Sequence, residues 1–155
     1  MRKTHVLIAT AAALFAFLSD FWSKNFWFGL GERKLGAIPV WLLRFTEHQN
    51  RGLIGDIPLF QPAIIIFTIF VLMVFIWFIF HSQDHSRCWF IALGCIIGGA
   101  TGNLYDRLMF GYVRDWILGW NWSAFNVADI WIILGALMVI RCSQKEEKEK
   151  RKKDA

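Results

Sequence analysis

Four aspartates of this chain lie at or near the ends of strongly apolar segments. They are Asp20, Asp106, Asp115 and Asp129. A carboxylate at a membrane boundary is costly, so four of them at a similar predicted depth indicate a shared polar site. If two carboxylates meet there, ionising both is costly, and the pair therefore shares one proton. A shared proton is the basis of general acid–base chemistry by paired acids.

Two of these acids have no basic residue placed to pair with them. Asp115 and Asp129 have no cation at helical spacing except Arg114, which points elsewhere if the local chain is extended. A shared proton would let one acid act as a base toward water and the other as an acid toward a carbonyl, as aspartyl proteases require. Spacing alone leaves a purely structural role for both acids open.

The other two acids have structural interpretations. Asp20 and Lys24 are four residues apart and can pair on one helix face. Asp106 and Arg107 are adjacent and do not face each other on a helix. We therefore expect Asp106 to lock the turn in "YDRLMFGY" and Arg107 to reach into the site.

Other hydrolytic chemistries lack their motifs. The chain has no HExxH or GxSxG pattern, and its four histidines are scattered. Cys88, Cys95 and Cys142 show no CxxC spacing. We predict that all three are packing residues, neither a disulfide set nor a zinc site.

The elements that position these residues are apolar and long. Hydrophobic residues make up 56% of the 155 residues, and the mean hydropathy is +0.42. We predict one integral membrane domain with four spanning helices at about 6–28, 62–80, 89–105 and 125–141. Gly94, Gly98 and Gly102 recur every four residues in the third helix, which permits close approach of a neighbouring backbone.

The charge pattern orients these helices. An even number of spans places both termini on one side, where ten of the 17 Lys and Arg residues fall. This bias predicts cytoplasmic termini, with segments 29–61 and 106–124 facing outward. The basic tail, 142–155, mixes acids with bases and is expected to be solvated beside the headgroups. The chain has no other basic face with interleaved aromatics, so we expect no nucleic-acid partner.

The first outward segment contains a strand-like pattern. In residues 40–47 the even-numbered and the odd-numbered side chains would lie on opposite faces of a strand, and a turn follows at "NRG". This pattern predicts a short strand with one apolar face. We therefore expect a small β element within 29–61, lying on the membrane surface.

Five short blocks resemble one known family over nearly the whole chain. They are "DFWSK", "NRG", "GGATGNLYDR", "FGYVRDW" and "FNVAD". In this order and separation they resemble lipoprotein signal peptidases (signal peptidase II), which are four-span aspartyl proteases of the bacterial inner membrane. The chain departs from the usual pattern in "LIGDIPLF" after the NRG block and in the Trp that follows Asp115.

The resemblance assigns roles to individual residues. It implies that Asp115 and Asp129 are the catalytic pair. It implies that the substrate-binding residues are Asn50, Asn103, Arg107 and Asn126. It also implies a group that supports the site, consisting of Asp20, Lys24, Gly52 and Asp106.

The resemblance also implies a fold and a substrate. The fold would be a four-helix membrane bundle with a small extracytoplasmic β-cradle and a short amphipathic outer helix. The enzyme would cleave diacylglyceryl-modified prolipoproteins just before the lipidated cysteine, as a monomer among membrane lipids, without a metal or cofactor. The alternative that we retain is a non-catalytic four-helix transporter or scaffold with a structural acid cluster, although the chain shows no clear internal repeat.

Overall fold

Four long helices and a three-stranded sheet make up the described part of the chain. The computed structural model describes residues 2–29, 44–52, 57, 59–82, 85–119 and 124–153. In chain order the elements are α1 (Arg2–Gly29), β1 (Arg44–Asn50), α2 (Gln61–His81), α3 (Arg87–Phe110), β2 (Val113–Leu118), β3 (Ala124–Phe125) and α4 (Val127–Lys153). All four helices are long and apolar enough to cross a membrane, which confirms the predicted fold class.

The helices extend beyond their predicted ends. α3 continues five residues past 105 to Phe110, and α4 continues through most of the predicted tail to Lys153. The tail is rich in Lys and Glu, which are strong helix formers. Ion pairs at i,i+4 spacing, Lys145–Glu149 and Glu147–Arg151, add to this preference. The tail is therefore a helical extension of α4.

α3 forms the centre of the bundle. Within its apolar window 67% of the residues are buried, against 17% in each of the other three helices. The glycine stripe accounts for this position. A Cβ at Gly94 or Gly98 would collide with backbone of α1 at Ala9 or Ala13, and one at Gly102 would meet the Asp20 carboxylate. The predicted close approach at these glycines is confirmed, and α1 is the neighbour.

The sheet joins two segments that are far apart in sequence. β2 pairs antiparallel with both β1 and β3, so the order is β1-β2-β3. Asn50 lies opposite Val113 and His48 opposite Asp115. The strand predicted after residue 40 is present from Arg44 onward. β2 was not predicted, because nearly all of its residues are buried and they show no alternation.

Three stacked aromatic rings attach the sheet to α1. The Trp27 ring stacks on Phe45 of β1 and on Trp116 of β2, with centroid distances of 4.8 and 5.0 Å. Phe45 and Trp116 also contact each other. Aromatic groups of this kind bury large apolar areas, so the sheet is fixed against the end of α1 where Asp20 and Lys24 lie.

Two predictions fall on residues outside the described ones. The predicted amphipathic outer helix falls within segment 29–61, of which 30–43, 53–56 and 58 are not described. The same holds for the first part of the predicted strand, residues 40–43.

The prediction for two cysteines is wrong. Cys88 and Cys142 form a disulfide with a Cα–Cα distance of 6.3 Å, whereas Cys95 is free and buried. α3 and α4 are antiparallel neighbours, so the beginning of α3 meets the later part of α4. Because 54 residues separate the two cysteines, no local spacing pattern could indicate their contact.

We predict that Gly98→Ala destabilises the protein by about 1–3 kcal/mol, because its Cβ would overlap the Ala13 carbonyl of α1. Thermal unfolding of the purified protein in detergent would measure the loss. Gly29→Ala is the matched control, since a Cβ at Gly29 meets nothing within 4 Å. Equal melting temperatures for the two variants would contradict the proposed close contact between α1 and α3.

Candidate active site

All four aspartates lie at the same end of the bundle. Asp20, Asp106 and Asp115 are at most 1% exposed, and Asp129 is half-buried. α1 and α3 supply the first two, β2 supplies Asp115, and the first turn of α4 supplies Asp129. The shared polar site that the sequence predicts is therefore present in the structure.

Asp20 and Asp106 belong to a charge-balanced cluster. The Lys24 ammonium lies 2.7 Å from Asp20 Oδ2 and 3.2 Å from Asp106 Oδ2. Arg114 donates from Nε and NH2 to Asp106 Oδ1 at 3.1 and 2.8 Å. Two acids and two bases neutralise one another, so the predicted Asp20–Lys24 pair is confirmed and Asp106 is an ion-pair partner.

The same cluster holds the polypeptide around the other two acids. The Arg114 backbone N–H donates to Asp106 Oδ2 at 3.0 Å, which fixes the start of β2 directly before Asp115. The Ala128 N–H donates to Asp20 Oδ1 at 2.9 Å, directly before Asp129. The neutral cluster thus positions both Asp115 and Asp129 without pairing with either.

Asp115 is bound by two amide side chains. Asn50 Nδ2 donates to its Oδ2 at 3.0 Å, and Asn126 Nδ2 donates to its Oδ1 at 2.6 Å. Both donors are neutral. The pKa of Asp115 is raised from 3.8 to about 6, chiefly by burial and in part by the nearby Asp129 carboxylate, while the two amide hydrogen bonds oppose the shift. Asp115 therefore holds a proton more tightly than an exposed aspartate.

Asp129 is held by a reciprocal cap at the start of α4. Its Oδ2 accepts from the Asn126 N–H, and its own N–H donates to Asn126 Oδ1, both at 3.1 Å. This is the capping-box arrangement, with Asn and Asp in place of the usual Ser and Glu. Because Asn126 also donates to Asp115, one asparagine contacts both acids.

Lys24 determines how the Asn103 amide is oriented. The ammonium is only a donor, and it donates to Asn103 Oδ1 at 3.0 Å. Asn126 Nδ2 donates to the same oxygen at 3.0 Å. The amide nitrogen of Asn103 is thereby directed to Asp129 Oδ1, at 2.8 Å.

Arg107 connects α3 to the segment after β1. Its NH2 donates to the Gly52 carbonyl at 3.0 Å, and the Gly52 N–H donates to Asn50 Oδ1 at 2.9 Å. Arg107 Nε is buried and has no hydrogen-bond partner among the described residues. One N–H of the guanidinium is therefore unsatisfied within the described part of the chain.

Two apolar cavities meet at this polar cluster. The first, of about 430 Å³, is lined by Asp115 and Asp129 together with aliphatic residues of α4. The second, of about 570 Å³, runs between α2, α3 and α4. Both are lined by Asn103, Arg107 and Ile132. The two acids therefore face a space suited to a largely apolar ligand with a polar centre.

The predicted site residues divide into two groups. Five line the first cavity: Asn50, Asn103, Arg107, Asp115 and Asp129. Five lie behind them and hold them in place: Asp20, Lys24, Gly52, Asp106 and Asn126. In the described ranges no three His, Cys, Asp or Glu side chains converge as metal ligands would.

Sequence reasoning missed two supporting residues. Arg114 pairs with Asp106 and donates from NH1 to Asn25 Oδ1 at 2.8 Å. Arg114 and Asp115 are neighbours in β2, so the Arg114 side chain points away from that of Asp115, as expected for an extended chain. The turn that brings Asp106 within its reach has no signal in the charge spacing. Asn25 follows Lys24 directly and carries no motif of its own.

Comparison with known proteins extends these observations. The family profile described as signal peptidase (SPase) II matches residues 12–144. A lipoprotein signal peptidase of Dichelobacter nodosus is 33% identical to this chain, covering 90% of it and 92% of the relative. One of Halalkalibacterium halodurans is 31% identical over 96% of this chain and 100% of the relative.

A solved structure, described as a bacterial membrane enzyme, shares the fold. It superposes with a TM-score of 0.77 at 25% identity, covering 96% of this chain and 92% of that one. The match of the family profile over most of the chain confirms the resemblance carried by the five sequence blocks. This multi-pass bacterial membrane protein belongs to the signal peptidase II family of aspartic peptidases.

Proposed function

We propose that this chain is the endopeptidase that removes signal peptides from diacylglyceryl-modified prolipoproteins, cleaving just before the lipidated cysteine. One observation carries the proposal. Asp115 and Asp129 face one cavity, share Asn126 as a hydrogen-bond partner and have no cation of their own in the neutral cluster behind them. Family membership argues against the non-catalytic transporter or scaffold.

The proposed catalytic step uses one proton shared by Asp115 and Asp129. The ionised carboxylate takes a proton from water as the water oxygen attacks the scissile carbonyl carbon. The protonated carboxyl donates its proton to the carbonyl oxygen, which forms a neutral gem-diol. Collapse of the diol breaks the C–N bond and transfers a proton to the leaving amine. The pair titrates as a unit, and the step requires no metal or cofactor.

Substrate binding is proposed to rest on the remaining donors and on the two cavities. The guanidinium of Arg107 borders both cavities and is assigned to donate to a backbone carbonyl of the substrate. The amides of Asn50, Asn103 and Asn126 hold the acids, and those of Asn50 and Asn103 border the same space. The apolar cavity between α2, α3 and α4 is open to acyl chains.

The proposed orientation places the catalytic pair near the outer face of the membrane. Both termini would then lie in the cytoplasm, as the excess of basic residues at that end favours. A diacylated cysteine anchors its scissile bond at the interface, which is the depth that this orientation gives to β2 and the start of α4. One chain supplies both acids, so we propose that the monomer is active.

We predict that Asp115→Asn and Asp129→Asn each lower kcat/KM for a lipidated precursor by at least about 10³-fold, because each removes one acid–base partner. Cleavage by the purified variants in detergent micelles measures this loss. Glu149→Gln on the exposed tail is the control. Near-normal cleavage by either aspartate variant, in a protein that remains folded, would refute the assigned roles.

Lys24→Met tests the positioning of Asn103. The variant leaves Asp20 and Asp106 buried without Lys24, at a cost of about 3–5 kcal/mol. It also frees the Asn103 amide to turn away from Asp129, and we expect kcat to fall on the order of 10²-fold. Melting temperature and kcat are measured together.

The double variant Lys24→Met/Asp20→Asn separates the two effects. It removes one unpaired charge, so we expect its melting temperature to recover part of the loss while kcat remains low. If kcat recovered in step with stability, Lys24 would have only a structural role and the orientation of Asn103 by Lys24 would be wrong.

The raised pKa of Asp115 predicts that stability depends on pH. The folded state binds this proton more tightly than the unfolded chain does, with a pKa of about 6 against 3.8. The resulting stabilisation is fully present below about pH 3.8 and is lost as the pH rises through about 6. Its full size is roughly 3 kcal/mol.

Melting temperatures of the wild type and Asp115→Asn between pH 4 and pH 8 would measure this contribution. We expect the stability of the wild type relative to the variant to fall across the interval. The groups that influence this proton include Asp129, which raises the pKa, and Lys24, which lowers it. A constant difference between the two proteins would contradict the raised pKa.

A further inference from the structure

Three contacts join α3 and α4 at the end opposite the acids. Besides the Cys88–Cys142 disulfide, the Ser86 N–H donates to Glu146 Oε1 at 2.7 Å, and His85 Nδ1 lies 2.7 Å from Glu146 Oε2. One turn of α4 thus holds the residues that lead into α3. These contacts bring the two sulfurs together independently of the peptidase site.

The chain between the two cysteines contains most of the proposed catalytic machinery. It includes Asn103, Asp106, Asp115, Asn126 and Asp129. A crosslink that closes a chain segment restricts the unfolded state and so stabilises the folded one. Cys142 lies 13 residues beyond Asp129 on α4, about 20 Å along the helix. The crosslink is therefore expected to act on stability and leave the chemistry of the acids unchanged.

The two cysteines differ in accessibility. Cys88 is exposed and is the second residue of α3, beside Arg87, whereas Cys142 is 5% exposed. Helix N-termini and neighbouring cations favour the thiolate, which is the nucleophilic form of cysteine. Cys88 is thus suited to react first with a reagent from solution, and Cys142 is suited to react second, with Cys88.

We propose that Cys88 and Cys142 form a thiol–disulfide modification site that responds to the redox state of the cytoplasm. This inference rests on the orientation proposed above, which places the pair in a compartment that keeps thiols reduced. The resting form is the dithiol. Its oxidant is a low-molecular-weight disulfide.

The exchange proceeds in two balanced steps. The Cys88 thiolate attacks the small disulfide, forms a mixed disulfide and releases one thiolate, which takes up a proton. Cys142 then loses its proton and attacks the Cys88 sulfur, which releases the second small thiol. Two electrons pass from the protein to the small disulfide, and the chain from Cys88 to Cys142 becomes a closed loop that resists thermal inactivation.

The first test counts thiols in intact cells. In a Cys95→Ala background, cells are quenched with acid and labelled with a maleimide of high mass, with and without prior diamide. Two labelled cysteines are expected in resting cells and none after diamide. A Cys95→Ala/Cys88→Ser protein is the control and should keep one labelled cysteine under both conditions. A disulfide already present in resting cells, or two thiols after diamide, would overturn the proposal.

The second test measures stability of the full-length protein in detergent, equilibrated with either oxidised glutathione or excess reduced glutathione. Oxidation is expected to raise the melting temperature by about 5–10 °C, with no such change in Cys88→Ser. Equal melting temperatures in the two buffers would contradict a stabilising crosslink.

Both tests can be separated from the proposed peptidase function. Cleavage of a lipidated precursor per folded molecule should be the same in the oxidised and reduced forms. If the peptidase assignment were wrong, cleavage would be absent in both forms, while the thiol count and the redox-dependent melting temperature would remain.

Discussion

Four buried charges must neutralise one another at one end of the bundle, and the packing of α1, α3 and β2 follows from this requirement. Asp20, Lys24, Asp106 and Arg114 are all nearly inaccessible, and they come from α1, α3 and β2. Unpaired, any one of them would cost several kcal/mol. The four must therefore meet, and their meeting fixes the end of α1 against α3 and fixes the start of β2 beside both.

The position of the acid pair follows from that cluster. Asp106 binds the backbone directly before Asp115, and Asp20 binds the backbone directly before Asp129. The amides of Asn103 and Asn126 fill the space between the cluster and the pair. Asp115 remains buried with neutral hydrogen-bond partners, which stabilises its protonated form. At neutral pH this burial lowers the stability of the folded protein. A less polar, better packed arrangement would be more stable, but it would hold no labile proton beside the cavity.

Much of this arrangement could be predicted from the sequence, because it depends on strong local patterns. Apolar runs of spanning length indicate the four helices, and the glycine spacing indicates the close contact of α3. The lack of a dedicated cation makes Asp115 and Asp129 candidates, and the family resemblance assigns them as the catalytic pair. The roles of Asn50, Asn103 and Asn126 rested on the family resemblance, since an asparagine in an apolar segment has several structural uses.

The remaining features depend on which distant segments meet. β2 is buried on both faces and has no alternation, so no strand pattern marks it in the sequence. The Arg114–Asp106 pair requires the turn after α3. The Cys88–Cys142 contact requires the beginning of one helix to lie beside the far end of another. A single sequence carries no local signal for contacts of this kind.

In the proposed mechanism Asp115 and Asp129 activate a water molecule directly, without a covalent intermediate. A single-turnover cleavage of a lipidated precursor in ¹⁸O-labelled water, with enzyme in excess, distinguishes this mechanism from one with an acylated aspartate. Direct attack by water puts one ¹⁸O atom in the new carboxylate of the released signal peptide and none in the peptides that contain Asp115 or Asp129. Label in either aspartate side chain, or no cleavage at all, would contradict it.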